Sequence, residues 1–562
     1  MNRLAVVLIA MLLTGCVATI KRDTTGETSP ISMGNWQTLT ATLRDAPVEL
    51  RHAIMQAGEA RLGDSYHAES LNVPNSQECQ AVLVDILTHT RSQTLLPDAA
   101  FASMNKVVIG ESPQLQQTYA SALANYLTQS DFSCRHPLYA GYFQRRYASA
   151  NTATPCPAEA PFSVASRYDG AQAVWLEPKR VSSIHLLFAS KSESMASRFG
   201  HVALRLVVCP EGKATAAECD ANLLEHLVLG FRAHIDELSL NTLKALNGEY
   251  KAYLFANRFM DVYEEYAIGE FREVYSLPLR LDDAQRELMV RQLADIHWRY
   301  AGKYSFFTQN CATILQDALR VSWPEFATND KMKSNYFRPD SLFEAVKSSS
   351  LAEGDKLASL DVAEREGYFF SSARQFYDRA LTEVRNAMKA PTFSDIESYL
   401  QIDPIKRQQE RSEDRQFSER LAADQHVREA QIMLEEYATL RSERLMMIEG
   451  AKYFEQQDFL SRTESIRAQL DAEHGKVFED CLLAPIRQHY NPIQRLNGIP
   501  DKSDIPAPSV ETSLCQSKKN KQLLHEAIAV IKDAKSEQWQ RLNEITRYWA
   551  ESIAGLNLLK QL

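Results

Sequence analysis

The sequence predicts an α+β protein in which a sheet-bearing domain lies between two helical regions. Between about 174 and 345, short apolar or alternating segments are mixed with helical ones outside a regular βαβ order. On either side of that stretch the apolar residues recur at helical spacing instead. Proline-rich segments, NTATPCPAEAP and LNGIPDKSDIPAPSVETS, punctuate the chain. With 562 residues, the chain is too long for a single core, so several units are expected.

The chain opens with Arg3 and an apolar run from Leu4 to Leu13, which reads as a secretory signal over residues 1–15. The run is too short for a stable membrane span, and no second stretch has transmembrane length. Leu13-Thr14-Gly15-Cys16 resembles a bacterial lipobox. That resemblance implies cleavage before Cys16, lipid on its sulfur and a membrane tether. Val17, not Asp, follows Cys16, a pattern that implies the Gram-negative outer membrane, with the protein facing the periplasm. Residues 16–35, rich in Thr, Ser and Gly, read as a flexible tether.

Residues 36–160 read as a helical domain, with helices over Leu43–Ala60, Cys79–Arg91 and Gln114–Leu127. Within 174–345, VSSIHLLFAS is a buried-strand candidate, and HVALRLVV alternates as a two-faced strand. LEHLVLGFRA, EYKAYLFANRF and FREVYSLPLRL follow as strands, with a short helix over Leu240–Leu246. DDAQRELMVRQLADIHWRYAG has an Asp-rich start and stops before Gly302, as a helix does. Residues 346–562 read as a helical, coiled-coil tail. Phe417, Leu421, Val427, Ala430, Leu434, Tyr437, Leu445 and Ile448 form a three/four stripe, continuing towards Leu483, and a last helix spans Lys518–Leu559.

The net charge of −10 argues against nucleic acid as the main partner. Nine cysteines fit an oxidising compartment. The shortest pairings are Cys134–Cys156, Cys209–Cys219 and Cys481–Cys515, with Cys79 left over, although spacing does not fix connectivity. No cysteine or histidine cluster has zinc spacing, so neither a metal nor another cofactor is expected.

The chemistry centres on KYSFFTQNCATILQDALR. Cys311 follows Asn310 at the start of an amphipathic helix whose apolar face is Ile314, Leu315, Ala318 and Leu319. Free N–H groups and the helix dipole are expected to favour its thiolate. His201, after Gly200 in SRFGHVALRL, is the candidate base. An imidazole within hydrogen-bond reach takes the thiol proton and later protonates the leaving group. Glu225 and His226 are candidates to orient His201. The Cys311 N–H, Asn310, Gln309 and Tyr304 are candidate oxyanion donors. Ser197 and Arg198 are candidates to line the site or bind anionic head groups.

Four segments resemble the Lnb N-terminal periplasmic domain family: IHLLFASKSES, SRFGHVALRL, LNGEYKAYLFANRFMDVYEEYAIGEFREVYSLPLRL and YSFFTQNCATILQDAL. CRHPLYAGYF resembles the Cys-Arg-x-Pro element that precedes that domain, and Tyr263 and Tyr266 resemble family positions. The resemblance implies a circularly permuted papain-like fold, related to the NlpC and lecithin:retinol acyltransferase group, with Cys311 as nucleophile and His201 as base. It further implies acyl transfer through a thioester, with a phospholipid or lipoprotein as substrate. Lnb-type acyltransferases usually carry C-terminal transmembrane helices, whereas this chain has a charged helical tail. The leading expectation is a membrane-tethered cysteine acyltransferase or acyl hydrolase. The alternatives are an NlpC-type cell-wall peptidase or amidase, and a non-enzymatic scaffold whose tail binds an envelope protein.

Overall fold

The computed structural model describes residues 99–111, 115, 122, 125–126, 131–147, 155–166, 170–191, 199–212, 214–234, 248–454, 467–468, 470–480, 495–505, 519, 523 and 537–561. The signal, the tether, Cys16, Cys79, Ser197, Arg198, Cys481, Cys515 and the helix expected over Leu240–Leu246 lie outside the described residues.

The described residues form a mixed α+β fold. A single sheet is built from β1 (Ala160–Ser166), β2 (Gly170–Leu176), β3 (Val181–Ala189), β4 (His201–Val208), β5 (Leu227–His234), β6 (Tyr250–Arg258), β7 (Val274–Pro278), β8 (Gly302–Tyr304) and β9 (Phe369–Phe370). Their order is β2-β1-β6-β5-β4-β3-β7-β9, with β8 also on β6. All neighbours are antiparallel except β1 and β6, which run parallel. The sheet is wider than the expected 174–345: β1 and part of β2 precede that range and β9 follows it. β1 and β2 share the Phe162–Val174 register, so alternating apolar residues around Phe162 and Val164 mark a strand that the nearby prolines hide.

The alternation in β4 decides which core each side chain joins. Val202, Leu204 and Leu206 enter the main core, with Leu227, Leu229 and Phe231 of β5. Ala203 enters a smaller core on the other face, with Leu187, Val228, Phe259 and Tyr266. Two helices cover the first face. α1 (Asp283–Arg299) begins with a capping box in which Asp282 accepts from the Gln285 N–H. α2 (Cys311–Ser322) buries Ile314, Leu315, Ala318 and Leu319, as its spacing predicts, and each of the three larger side chains contributes ~2 kcal/mol of burial. Helices at Ala99–Ile109 and Pro137–Tyr147 pack into the same core through Val108, Tyr139 and Phe143, so these N-terminal helices are continuous with the sheet domain.

Disulfides join Cys134 to Cys156 and Cys209 to Cys219. The latter closes the β4–β5 connection, which holds a short helix, Ala216–Ala221. A Thr215–Glu218 capping box starts that helix.

The C-terminal helices form a second core. α3 (Arg374–Ala387), α4 (Pro404–Glu413), α5 (Arg415–Ala423), α6 (Gln425–Phe454) and α7 (Glu537–Leu559) contain its main elements. The stripe from Phe417 to Tyr437 is buried there, but Leu445 is exposed. The stripe also spans two helices, not one: Asp424 accepts from the His426 N–H and starts a new helix. Glu435, held by Arg407 at 3.1 Å and by Tyr399 at 2.9 Å, ties α4 and α6 together, and Arg407 reaches Ser552 of α7 at 3.2 Å. Among the described residues, no helix is long and apolar enough to cross a membrane.

Candidate active site

β8 and the start of α2 position Cys311. After Tyr304 the chain turns through a Ser305–Gln309 bridge and reaches Asn310, the helix N-cap. The Asn310 Oδ1 accepts from Ala312 N at 3.0 Å and Thr313 N at 3.3 Å. Its Nδ2 donates to the carbonyls of Phe306 and Phe337, both at 2.8 Å. Both amide protons are therefore committed, and Asn310 fixes the helix start instead of offering a donor to an oxyanion.

Cys311 is a free cysteine and only 3% exposed. Backbone N–H groups of Val202 and Ala312 reach its sulfur. The helix start was expected to favour the thiolate; burial opposes it more strongly and pushes the thiol up to about 11. The Cys311 backbone N–H faces the Tyr304 hydroxyl, which burial, with Cys311 and Tyr266 nearby, keeps protonated. Of the expected oxyanion donors, Tyr304 and the Cys311 N–H therefore lie together beside the thiol.

His201 begins β4, pairing with Ala189 of β3. Gly200 before it has φ +86°, and a Cβ there would lie 2.4 Å from Phe188 Cε2 and 2.6 Å from the Ala189 carbonyl, so only glycine fits this approach. The His201 ring lies over Gly230, whose added Cβ would stand 3.4 Å from Nε2. It is 6.1 Å from the Tyr266 ring. Nε2 is buried without a hydrogen-bond partner among the described residues, so it does not bond the Cys311 thiol in this conformation. The sulfur instead faces the backbone N–H of the next residue, Val202, whose side chain shares the main core with Cys311. Burial, then Arg232 and Arg272, hold His201 well below the ordinary imidazole range. Thiol and imidazole are thus both neutral at rest.

The expected orienting residues stand elsewhere. Glu225 is paired with Arg180 in the turn before β5. His226 accepts from Arg205 Nη2 at 2.9 Å through Nδ1 and donates to the Cys219 carbonyl at 2.8 Å through Nε2. The register places Leu227 opposite Leu206, so His226 lies towards the far end of β4 from His201. Gln309 lines a cavity of about 120 Å³ with Thr308, Thr313 and Phe337; neither Cys311 nor His201 lines it.

The neighbours that matter to His201 are ones the sequence reading passed over. Arg232 Nη2 donates to the Tyr266 hydroxyl at 3.1 Å. Arg272 stacks 4.5 Å from the Tyr266 ring centre and donates to the carbonyls of Ala189 and Ser190 at 2.9 and 2.5 Å. An arginine inside an otherwise apolar strand, as in LVLGFRA, was the available signal. Around the helix start, Phe199, Phe307 and Phe337 are exposed, with Arg338 stacked 5.0 Å from the Phe199 ring. No cluster with metal-ligand composition occurs among the described residues.

No curated protein and no solved structure matches the chain. A family match does exist, and its description fits a periplasmic location. Residues 171–347, the segment that carries both His201 and Cys311, are similar to and match the Lnb N-terminal periplasmic domain family.

Proposed function

We propose that this domain performs thiol acyl chemistry on lipid or lipoprotein substrates, as an acyltransferase or acyl hydrolase of permuted papain-like type. The observation that carries the reading is a buried free thiol facing the backbone of Val202, next to His201, whose buried Nε2 has no hydrogen-bond partner among the described residues. A neutral imidazole nitrogen not committed to a structural bond is free to take a thiol proton. The exposed phenylalanines beside the helix start suit an acyl chain or membrane surface. Lipid on Cys16 would hold the domain at the outer membrane, facing the periplasm.

In this reading the His201 ring turns from Gly230 towards the sulfur. Nε2 takes the thiol proton, and the thiolate attacks an ester carbonyl. The ester C–O bond breaks, the alcohol leaves with the proton from His201, and a thioester remains on Cys311. An amine or water then attacks the thioester, giving its proton to His201, and the thiol returns. In this reading the Tyr304 hydroxyl, beside the Cys311 N–H, donates to the oxyanion. Mass spectrometry of lipoprotein N-termini from cells carrying wild type or Cys311→Ala tests the reading. Unchanged acylation in the variant, with no thioester trapped on wild type, would overturn it.

The resting burial of Cys311 favours a second reading, a non-catalytic scaffold whose helical tail binds an envelope partner. It predicts that Cys311→Ala and His201→Ala keep the cellular phenotype, whereas loss of residues 400–562 removes it.

A further inference from the structure

The C-terminal helices reach the His201 side of the site through a short, specific path. After β6 the chain forms a π-helical turn over Glu264–Gly269, which carries Tyr266. π-turns of this kind concentrate at functional sites. Two residues after the turn comes Phe271, the one non-glycine residue with positive φ among the described residues, at 54°. A bulky side chain in that region is costly and persists only where its surroundings hold it.

The surroundings that hold it belong to the C-terminal helices. The Phe271 ring packs 5.6 Å from Tyr377 of α3 and 5.0 Å from Tyr437 of α6. Arg374 of α3 stacks 5.7 Å from the same ring. On each side of Phe271 lies a charge that continues the path. Arg444 of α6 donates to Glu270 Oε1 at 2.9 Å, and Arg272 donates to Glu270 Oε2 at 3.0 Å. Arg272 in turn lies over the Tyr266 ring and grips the carbonyl of Ala189, the register partner of His201. Tyr266 closes the path against the His201 ring.

We infer that the C-terminal helices are positioning elements of the site: through Phe271 and the Arg444–Glu270–Arg272 chain they set the place of Tyr266 and Ala189, and so of the His201 imidazole. The inference rests on the thiol reading for its functional meaning, but not for its test. The groups facing His201 are Arg232 from β5, Tyr266 and Arg272 from the turn, and Gly230 below the ring, with Glu265 and Glu270 behind the arginines. Loosening the turn admits water to this pocket and moves the imidazole towards its solution behaviour.

The experiment is a histidine NMR titration of the full chain, with the His201 signal assigned by its loss in His201→Gln. Phe271→Ala and Arg444→Ala are each expected to raise the His201 midpoint by about one pH unit. Arg444→Lys restores most of the wild-type behaviour. Arg444 is half exposed, so Arg444→Ala tests the path even where Phe271→Ala fails to fold. An Arg444→Ala protein that melts like wild type and leaves the His201 titration in place overturns the inference. If Cys311→Ala leaves lipoprotein acylation unchanged, the thiol reading falls while the titration result stands.

Discussion

Strand β4 carries two polar side chains, His201 and Arg205, on the same face, and the fold treats them in opposite ways. Arg205 is 1% exposed, yet it donates to His226, to Ser276 at 3.1 Å and to the Gly367 carbonyl at 3.0 Å. Ser276 bonds His185 at 2.9 Å, and His185 bonds Ser183 at 2.8 Å. The Phe259 ring covers the guanidinium at 4.3 Å. That network is closed, and closed buried networks fix a core. At the other end of the strand, His201 is flanked by arginines and an aromatic ring, but its Nε2 bonds nothing among the described residues. The difference separates a histidine kept for structure, His226, from one whose cost calls for another explanation.

The largest expected effect breaks the open end of that comparison. Cys311→Ala and His201→Gln should each reduce acyl-product formation by at least ~10³-fold, while His201→Gln costs no more than about 1 kcal/mol of stability. The closed end behaves in reverse. Arg205→Met strands the acceptors on His226, Ser276 and Gly367 and should cost about 3 kcal/mol, read as a lower melting temperature of the sheet domain.

The pH dependence sharpens the same contrast. Burial, then Arg205, bring His226 down to about 4, whereas in the unfolded chain it titrates near 6.5. Between those values the unfolded chain binds a proton that the folded chain refuses. Stability should therefore fall as pH drops from ~6.5 to about 4, by up to ~3 kcal/mol from this group. His226→Gln should flatten that slope in thermal melts, at a cost at neutral pH that His201→Gln avoids. The smallest expected effect is at Gly230. Gly230→Ala places a Cβ 3.4 Å from Nε2, and should change stability by less than ~1 kcal/mol while lowering turnover roughly tenfold.

Much of the sheet was legible because β3 to β7 declare themselves locally, by alternation and by their flanking turns. β1 was not, because the nearby prolines read as a boundary and its place in the sheet depends on a short parallel pairing with β6 far along the chain. Cys311 and its helix were legible from Asn310 and the apolar face that follows. The electrostatic surroundings were not: a helix start favours a thiolate, but only the fold reveals that burial outweighs it. Glu225 and His226 were plausible from their strand position, yet register carries them away from His201. Arg232 and Arg272 stand out only when β5 and the turn after β6 converge on one imidazole.

The outermost strands have a practical consequence for expression. β1 fills the space between β2 and β6, and β9 covers the free side of β7, yet both lie outside residues 171–347. A fragment cut to that range would leave the Ala256–Asn257 end of β6 and the outer edge of β7 unpaired, and such edges recruit strands from other chains. Solubility should therefore require residues from at least Ala160 to Phe370, and the shorter fragment should appear as aggregate in size-exclusion chromatography.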